Sequence, residues 1–276
     1  MEPKVSFVTV NYKMPHFVRH LLQGVQDAAL PFSFEYFLVD NGSADGVLAM
    51  VSERFPWVKT MDTGRNAGFG AANNLALPEA KGEYVIFLNP DTVVFPGELE
   101  AWIDWMDKRP EVGASGPRVL NPDGSDQQTA CRFPTLFTPV YRRTLLGKTP
   151  WGKKSLSKYL MDGMDRGLEQ DVDWVQGSAL CIRRSVLERI GHFDERFFMY
   201  FEDADLCRRI WKSGSRVTYV PQARIVHYHG RGSMIRWPWQ AVTNRLTRIH
   251  IWSGLKYFLK YRREPDPRQA VQSKLQ

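Results

Sequence analysis

Residues 84–91 read YVIFLNPD. Tyr84, Val85, Ile86, Phe87 and Leu88 form an unbroken apolar run with no period-two alternation, the pattern of a strand buried on both faces of a parallel sheet. Pro90 has no N–H for a strand ladder, so the strand stops there and leaves Asp91 on a turn at its carboxyl end. In open α/β sheets ligands bind at that edge. A carboxylate there is a hard oxygen ligand, suited to Mg²⁺ or Mn²⁺ holding a diphosphate. The plainer alternative is that Asp91 caps a helix starting near Pro96.

On the amino-terminal side, residues 5–11 (VSFVTVN), 34–40 (FEYFLVD) and 57–61 read as strands. Between them, Phe17, Val18, Leu21, Leu22 and Val25 recur at helical spacing, and a second amphipathic helix spans about 44–54. A glycine-rich turn over 64–70 opens a third helix through Asn73 and Asn74. Strand and helix alternate, which predicts a Rossmann-like, mostly parallel sheet flanked by helices, with right-handed crossovers. On the carboxyl-terminal side, 112–118, 172–182, 217–220 and 223–227 read as extended, with helices over 184–190 and from Glu202 through Trp211. Residues 120–170 lose the pattern and read as a long, partly helical insertion with a basic run.

The chain has 276 residues, enough for one large domain with a small appendage; the division expected is 1–233 and a helical segment over 234–276. A hydrophobic content of 43% and a charged content of 24% suit a folded globular protein. Three scattered cysteines, an opening that enters a strand directly, and no apolar run of spanning length predict a cytoplasmic protein without signal peptide or transmembrane segment. A net charge of +7 implies an anionic partner. Nucleic acid is the weaker choice, because the basic residues gather outside the motif-bearing sheet and no RNP, KH or zinc motif is present.

Other motifs carry candidate chemistry. Asp40, followed by Asn41, Gly42 and Ser43, ends a strand where a carboxylate or amide can accept from a base imide or ribose hydroxyl; a plain turn is the alternative. The loop with Arg65, Asn66 and Gly68 is neither a Walker A loop nor GxGxxG, yet its N–H groups and helix start can face an anion. Glu202, Asp203 and Asp205 crowd three carboxylates into four residues. They serve either the helix dipole or, after the aromatic run 197–201, a desolvated pocket floor with a raised-pKa general base. His227 and His229 end a strand on the same side, as ordinary strand-end residues or as metal ligands or phosphate donors.

The ordered set VTVNY, VDNGSADG, GRNAGFGAANN, FLNPDT, WVQGSAL, FMYFEDADLCRR and ARIVHYHGRGS resembles the family 2 glycosyltransferases of GT-A fold, over about residues 5–233, and within them the bacterial rhamnosyltransferase-like branch that builds cell-surface polysaccharide. The resemblance implies an inverting transferase. Thr9, Asn11, Tyr12, Asp40 and Asn41 would hold base and ribose, and Arg65, Asn66 and Gly68 would lie along the diphosphate. Asn89, Pro90 and Asp91 stand at the Asp-x-Asp metal motif, with Asn89 replacing its first acid. Asp91 and His227 fall on the metal ligands, with His229 as the alternative histidine. Asp203 falls on the catalytic base, with Glu202 as fallback, and Trp174 and Gly177 fall on the loop beneath sugar and acceptor. The implied donor is dTDP-L-rhamnose, with a UDP-hexose as runner-up, and the acceptor a saccharide or lipid-linked saccharide. Binding of a nucleotide sugar without turnover is the competing reading, supported by Asn89.

Residues 231–263 mix Trp237, Trp239, Trp252 and other apolar residues with eight lysines and arginines and no acid. Such a helix either packs on the domain or a second subunit, or lies on an anionic membrane with its rings at headgroup level. The second reading predicts a peripheral protein at the inner face of the cytoplasmic membrane, helped by the basic run 142–158.

Overall fold

The computed structural model describes residues 2–228 and 244–268. His229, Trp237 and Trp239 lie outside the described residues. Among those described, nine strands form one sheet in the order β3-β2-β1-β4-β10-β6-β11-β5, with β8 paired to β11. The strands are β1 (Val5–Asn11), β2 (Phe34–Asp40), β3 (Val58–Asp62), β4 (Tyr84–Leu88), β5 (Thr92–Val93), β6 (Val112–Leu120), β8 (Gln170–Asp171), β10 (Ala179–Arg183) and β11 (Arg216–His227); β7 (Ala130–Cys131) and β9 (Trp174–Val175) form a separate pair. The helices are α1 (Pro15–Asp27), α2 (Val47–Arg54), α3 (Phe69–Ala76), α4 (Glu98–Asp107), α5 (Thr138–Arg143), α6 (Pro150–Leu160), α7 (Arg184–Ile190), α8 (Glu202–Lys212) and α9 (Arg245–Tyr261).

The first half is parallel as expected: β1 runs parallel to both β2 and β4, and β2 to β3. All five residues of β4 and all seven of β1 are buried, because helices cover both sheet faces. One core packs Val18, Leu22, Val51, Leu99 and Trp102 of α1, α2 and α4 against one face. The other packs Ala72, Val186, Leu206 and Trp211 of α3, α7 and α8 against the opposite face. The three cysteines are buried and free.

Three features differ from the sequence expectation. The chain inserts β10 antiparallel between β4 and β6, so the sheet is mixed at its centre. The two strands expected over 217–220 and 223–227 are one strand, β11, and its register against β6 shifts between Val220 and Arg224. That irregularity accommodates Pro221, which has no N–H for the ladder. Finally, α9 is part of the domain body. Its Tyr257 and Tyr261 share a buried cluster with Phe197, Phe201 and Ala204 at the start of α8. The packing alternative for this segment is therefore what its inner face does, while Ile251, Trp252, Leu255 and Leu259 form an exposed outer stripe. No helix among the described residues is long and apolar enough to cross a membrane.

Candidate active site

The strand ends β2, β4 and β11, the loop before α3 and the first turn of α8 carry the expected residues. Asp40 closes β2 and is buried; its carboxylate accepts from Asn11 Nδ2 at 2.8 Å and from the Ser43 N–H at 3.0 Å. Asn41 joins this turn to the glycine-rich loop: its Oδ1 accepts from the Ala67 N–H at 2.8 Å, and its Nδ2 donates to Asn66 Oδ1 at 3.2 Å. Thr9 and Asn11 differ from expectation. Both are fully buried, and Thr9 Oγ1 donates to the Leu88 carbonyl at 2.9 Å and lies 2.7 Å from the Tyr36 hydroxyl. They brace the cleft from beneath, and strand burial is the reason. Tyr12 and Arg65, one step further out, are exposed. The Asn66 side chain, followed by the Lys13 and Arg245 charges, lowers the pKa of the Tyr12 hydroxyl, which brings Tyr12, Asn66 and the start of α9 to one rim.

Gly68 begins α3 with φ +95°, and a Cβ there would lie 2.2 Å from the Phe198 carbonyl oxygen. The neighbouring Phe69 N–H donates to that same oxygen at 2.9 Å. The loop before α8 is thereby closed onto the loop before α3. Gly68→Ala is expected to destabilise the protein by about 3 kcal/mol, combining backbone strain with a clash that nothing flexible relieves. A denaturant melt within 1 kcal/mol of wild type, in the usual range of surface substitutions, would contradict this close approach.

Asp91 and His227 meet because β5 pairs antiparallel with the end of β11, with His227 opposite Thr92. His227 Nε2 lies 3.2 Å from Asp91 Oδ1, and both side chains are nearly enclosed. Gln127 settles the imidazole tautomer. Its Nε2 donates to the His227 carbonyl at 2.6 Å, which turns its Oε1 toward His227 Nδ1 at 3.0 Å. Nδ1 therefore carries a hydrogen, and Nε2 is the ring nitrogen that faces the carboxylate. An imidazole oriented by an amide next to a carboxylate is a donor set that fits Mg²⁺ or Mn²⁺. Among the described residues no third His, Cys, Asp or Glu joins them. With Asn89 in place of an acid, an ion held by Asp91 and His227 would need further oxygen donors from outside the described residues.

The carboxylate pair stands at the start of α8, after two non-glycine residues in left-handed conformation, Tyr200 (φ 70°) and Phe201 (φ 69°). Such residues cost of order 1 kcal/mol each and persist where surroundings hold them. Here α9 does so. The Phe201 ring packs against His250, Tyr257 and Phe258 at centroid distances of 5.0, 5.4 and 6.0 Å. Ser253 Oγ donates to the Met199 carbonyl at 2.8 Å, and Lys256 Nζ to the Arg196 carbonyl at 2.6 Å. Asp205, fully buried, accepts from Tyr261 Oη at 2.6 Å and Arg209 Nε at 2.9 Å, and pairs with Lys260. The third acid of the cluster is thus structural.

Glu202 and Asp203 ionise apart. Burial pushes Asp203 up to about 6, opposed by the N–H groups of Gly177 (3.2 Å to Oδ2) and Ala204 (2.8 Å to Oδ1). Burial, and then the Asp203 charge, push Glu202 well above the carboxylate range, and its Oε2 is buried without a hydrogen-bond partner. Of the two, Asp203 is the carboxyl with partners for its anion, and Glu202 is the one whose ionisation is disfavoured beside it.

These pieces are contiguous. Asp203 touches Gly177; a Cβ on Gly177 would lie 3.3 Å from the Phe69 ring; and the next carbonyl, Ser178, accepts from the Asn89 N–H at 2.9 Å. Trp174 Nε1 donates to the Arg132 carbonyl at 2.8 Å, which fixes the strand leading into Gly177. Sequence reasoning missed Gln127, which lies 100 residues from His227 in a stretch without periodicity. It also missed the part α9 plays behind the base, although the apolar positions of that helix were visible.

The sequence profile of "Glycosyl transferase family 2" matches residues 6–191. The N-acetylglucosaminyl-diphospho-decaprenol L-rhamnosyltransferase of Mycobacterium tuberculosis is 35% identical over 243 residues, covering 83% of this chain and 77% of that protein. Rhamnosyltransferase WbbL of Escherichia coli K12 is 29% identical over 205 residues, covering 69% of this chain and 74% of that one. Among solved structures, the mannosyltransferase PcManGT of Pyrobaculum calidifontis, in complex with GDP-Man and Mn²⁺, superposes with a TM-score of 0.59 at 18% identity, over 98% of this chain and 68% of that chain.

Proposed function

Because this chain belongs to glycosyl transferase family 2 and is a glycosyltransferase of GT-A fold, we propose that it moves L-rhamnose from dTDP-L-rhamnose to a lipid-linked diphosphate saccharide, with inversion, in the assembly of a cell-surface polysaccharide. The donor and acceptor classes are supported by the two rhamnosyltransferase relatives, one of which is named for a diphospho-decaprenol acceptor. The observation that carries the mechanism is the placement of Asp203 in the first turn of α8, next to Glu202 and held by the Gly177 N–H.

Asp203 takes the proton of the acceptor hydroxyl as that oxygen attacks the anomeric carbon from the face opposite the nucleotide. Its pKa, raised to about 6, matches it to this task near neutral pH. Burial and the Asp203 charge both disfavour a second negative charge on Glu202 beside it. The Gly177 N–H fixes the orientation of the carboxylate. Asp91 and His227 would hold a divalent ion, which when bound offsets the charge of the departing diphosphate. Tyr12, Asp40, Asn41, Arg65, Asn66 and Gly68 line the donor side, and Trp174 and Gly177 the sugar and acceptor side. An acceptor carried by a lipid places the enzyme at the inner face of the cytoplasmic membrane as a peripheral protein.

A thermal-shift series with Mn²⁺ and dTDP-L-rhamnose, UDP-glucose, UDP-N-acetylglucosamine or GDP-mannose tests the donor. A ligand at 100 times its Kd adds about 2.7 kcal/mol, so the cognate donor should raise the midpoint by roughly 5 °C. Release of nucleoside diphosphate should then require the lipid-linked acceptor. A larger shift with a UDP-hexose would reassign the donor, and a shift without release would favour binding alone.

A further inference from the structure

We propose that the helical hairpin formed by α5, the 3-10 turn Leu145–Lys148 and α6 is the element that docks this enzyme on an anionic lipid bilayer; this rests on the lipid-linked acceptor proposed above. Between Asp126 and Asp162 the sequence has seven lysines and arginines and no acid. Among them Lys148, Lys153, Lys154 and Lys158 are exposed, and none pairs with a carboxylate among the described residues. At the tip, large apolar side chains point into solvent: Trp151 is 79% exposed, Leu145 77% and Phe137 60%. Along α6, Trp151, Lys154 and Lys158 fall on one exposed stripe by helical period, while Gly152 and Tyr159 form a separate, buried stripe. A tryptophan and leucines flanked by unpaired lysines suit the boundary between acyl chains and anionic headgroups.

The location fits the occupant. The hairpin leaves the sheet from β7, which pairs with β9, and β9 runs directly into Gly177, whose N–H holds Asp203. Arg132 N–H donates to the Tyr159 carbonyl at 2.8 Å and closes the base of the hairpin. The docking tip is thus rooted at the acceptor side of the site. A second copy of the chain is a poor occupant, since a two-fold contact would set this positive patch against itself. The alternative anchor, α9, has an exposed apolar stripe, but Lys256 and Lys260 are directed to Arg196, Asp194 and Asp205 of its own domain.

The test is co-sedimentation of the full chain with vesicles of phosphatidylcholine alone or mixed equally with phosphatidylglycerol. Wild type should bind the mixed vesicles, be released by salt, and ignore phosphatidylcholine. The triple variant Lys148→Glu, Lys153→Glu, Lys154→Glu should lose at least about 100-fold in partitioning, given about fivefold for each basic residue at an anionic surface. The pair Leu145→Ser, Trp151→Ser should lose about tenfold or more. These side chains are exposed, so melting should be unchanged, as should transfer to a detergent-dispersed acceptor. Wild-type binding by both hairpin variants would overturn the proposal, as would loss only in Trp252→Ser, Leu255→Ser of α9. A dimer in sedimentation velocity that the hairpin variants dissolve would also overturn it. Failure of the rhamnosyl reading would show as absent transfer with vesicle binding intact, so the two outcomes are separable.

Discussion

Asp203→Asn is expected to bind donor as wild type does and to lose about 10²–10⁴-fold in transfer, the range for removing a general base. The asparagine keeps an oxygen for the Gly177 or Ala204 N–H but has no site for the acceptor proton. Glu202→Gln separates the two acids. Burial and the Asp203 charge favour the neutral form of Glu202, which the amide resembles, and the expected loss is below about tenfold. In wild type, kcat/KM should rise with pH through about 6 and then level off, as Asp203 ionises. The same shift acts on stability in the opposite sense. A carboxyl whose folded pKa is raised contributes stability that is present in full below the unfolded value near 3.8 and is lost as pH rises through about 6. Asp203→Asn should therefore be more stable than wild type at pH above 7, by on the order of 2 kcal/mol. A calorimetric melt beside a turnover assay checks both. Near-normal turnover in Asp203→Asn, or equal damage from Glu202→Gln, would remove the assignment.

Asp91→Ala and His227→Ala are each expected to lower transfer by about 10²–10⁴-fold, the loss of several kcal/mol of leaving-group stabilisation. EDTA should do the same to wild type, and Mn²⁺ should restore it. Among the described residues only Asp91 and His227 would face the ion, so calorimetric titration should show weak Mn²⁺ binding by the protein alone and much tighter binding with nucleoside diphosphate present. Gln127→Leu, which removes the group that orients the imidazole, should weaken metal binding about 10–100-fold while leaving Asp91 and His227 in place. Undiminished transfer in EDTA would exclude a catalytic metal. His229→Ala, set beside His227→Ala, decides between the two histidines.

The amino-acid sequence alone determined the parallel half of the sheet, because strands covered on both faces are mostly apolar: 84–88 is so throughout, and 5–11 and 34–40 are so at most positions. It also marked the candidate site. Pro90 ends β4 at Asp91, the glycines of 64–70 mark a tight loop whose Gly68 has no room for a side chain, and the acids of α8 follow an aromatic run. These are local effects, legible within a few residues. What remained hidden depends on residues far apart in the chain. Nothing in local pattern shows that β10 enters antiparallel between β4 and β6, or that Gln127 reaches His227. The sequence presents Glu202 and Asp203 as equals, and only tertiary burial, with the Gly177 N–H on one and no partner for the other, separates their protonation. Composition made 245–261 an amphipathic appendage. Which face turns inward was decided by Phe201 and Asp205, which draw Tyr257, Tyr261 and Lys260 against the base helix and leave Trp252 outside. Periodicity tells that a helix has two faces, and only the shape and charge of what it packs against selects between them.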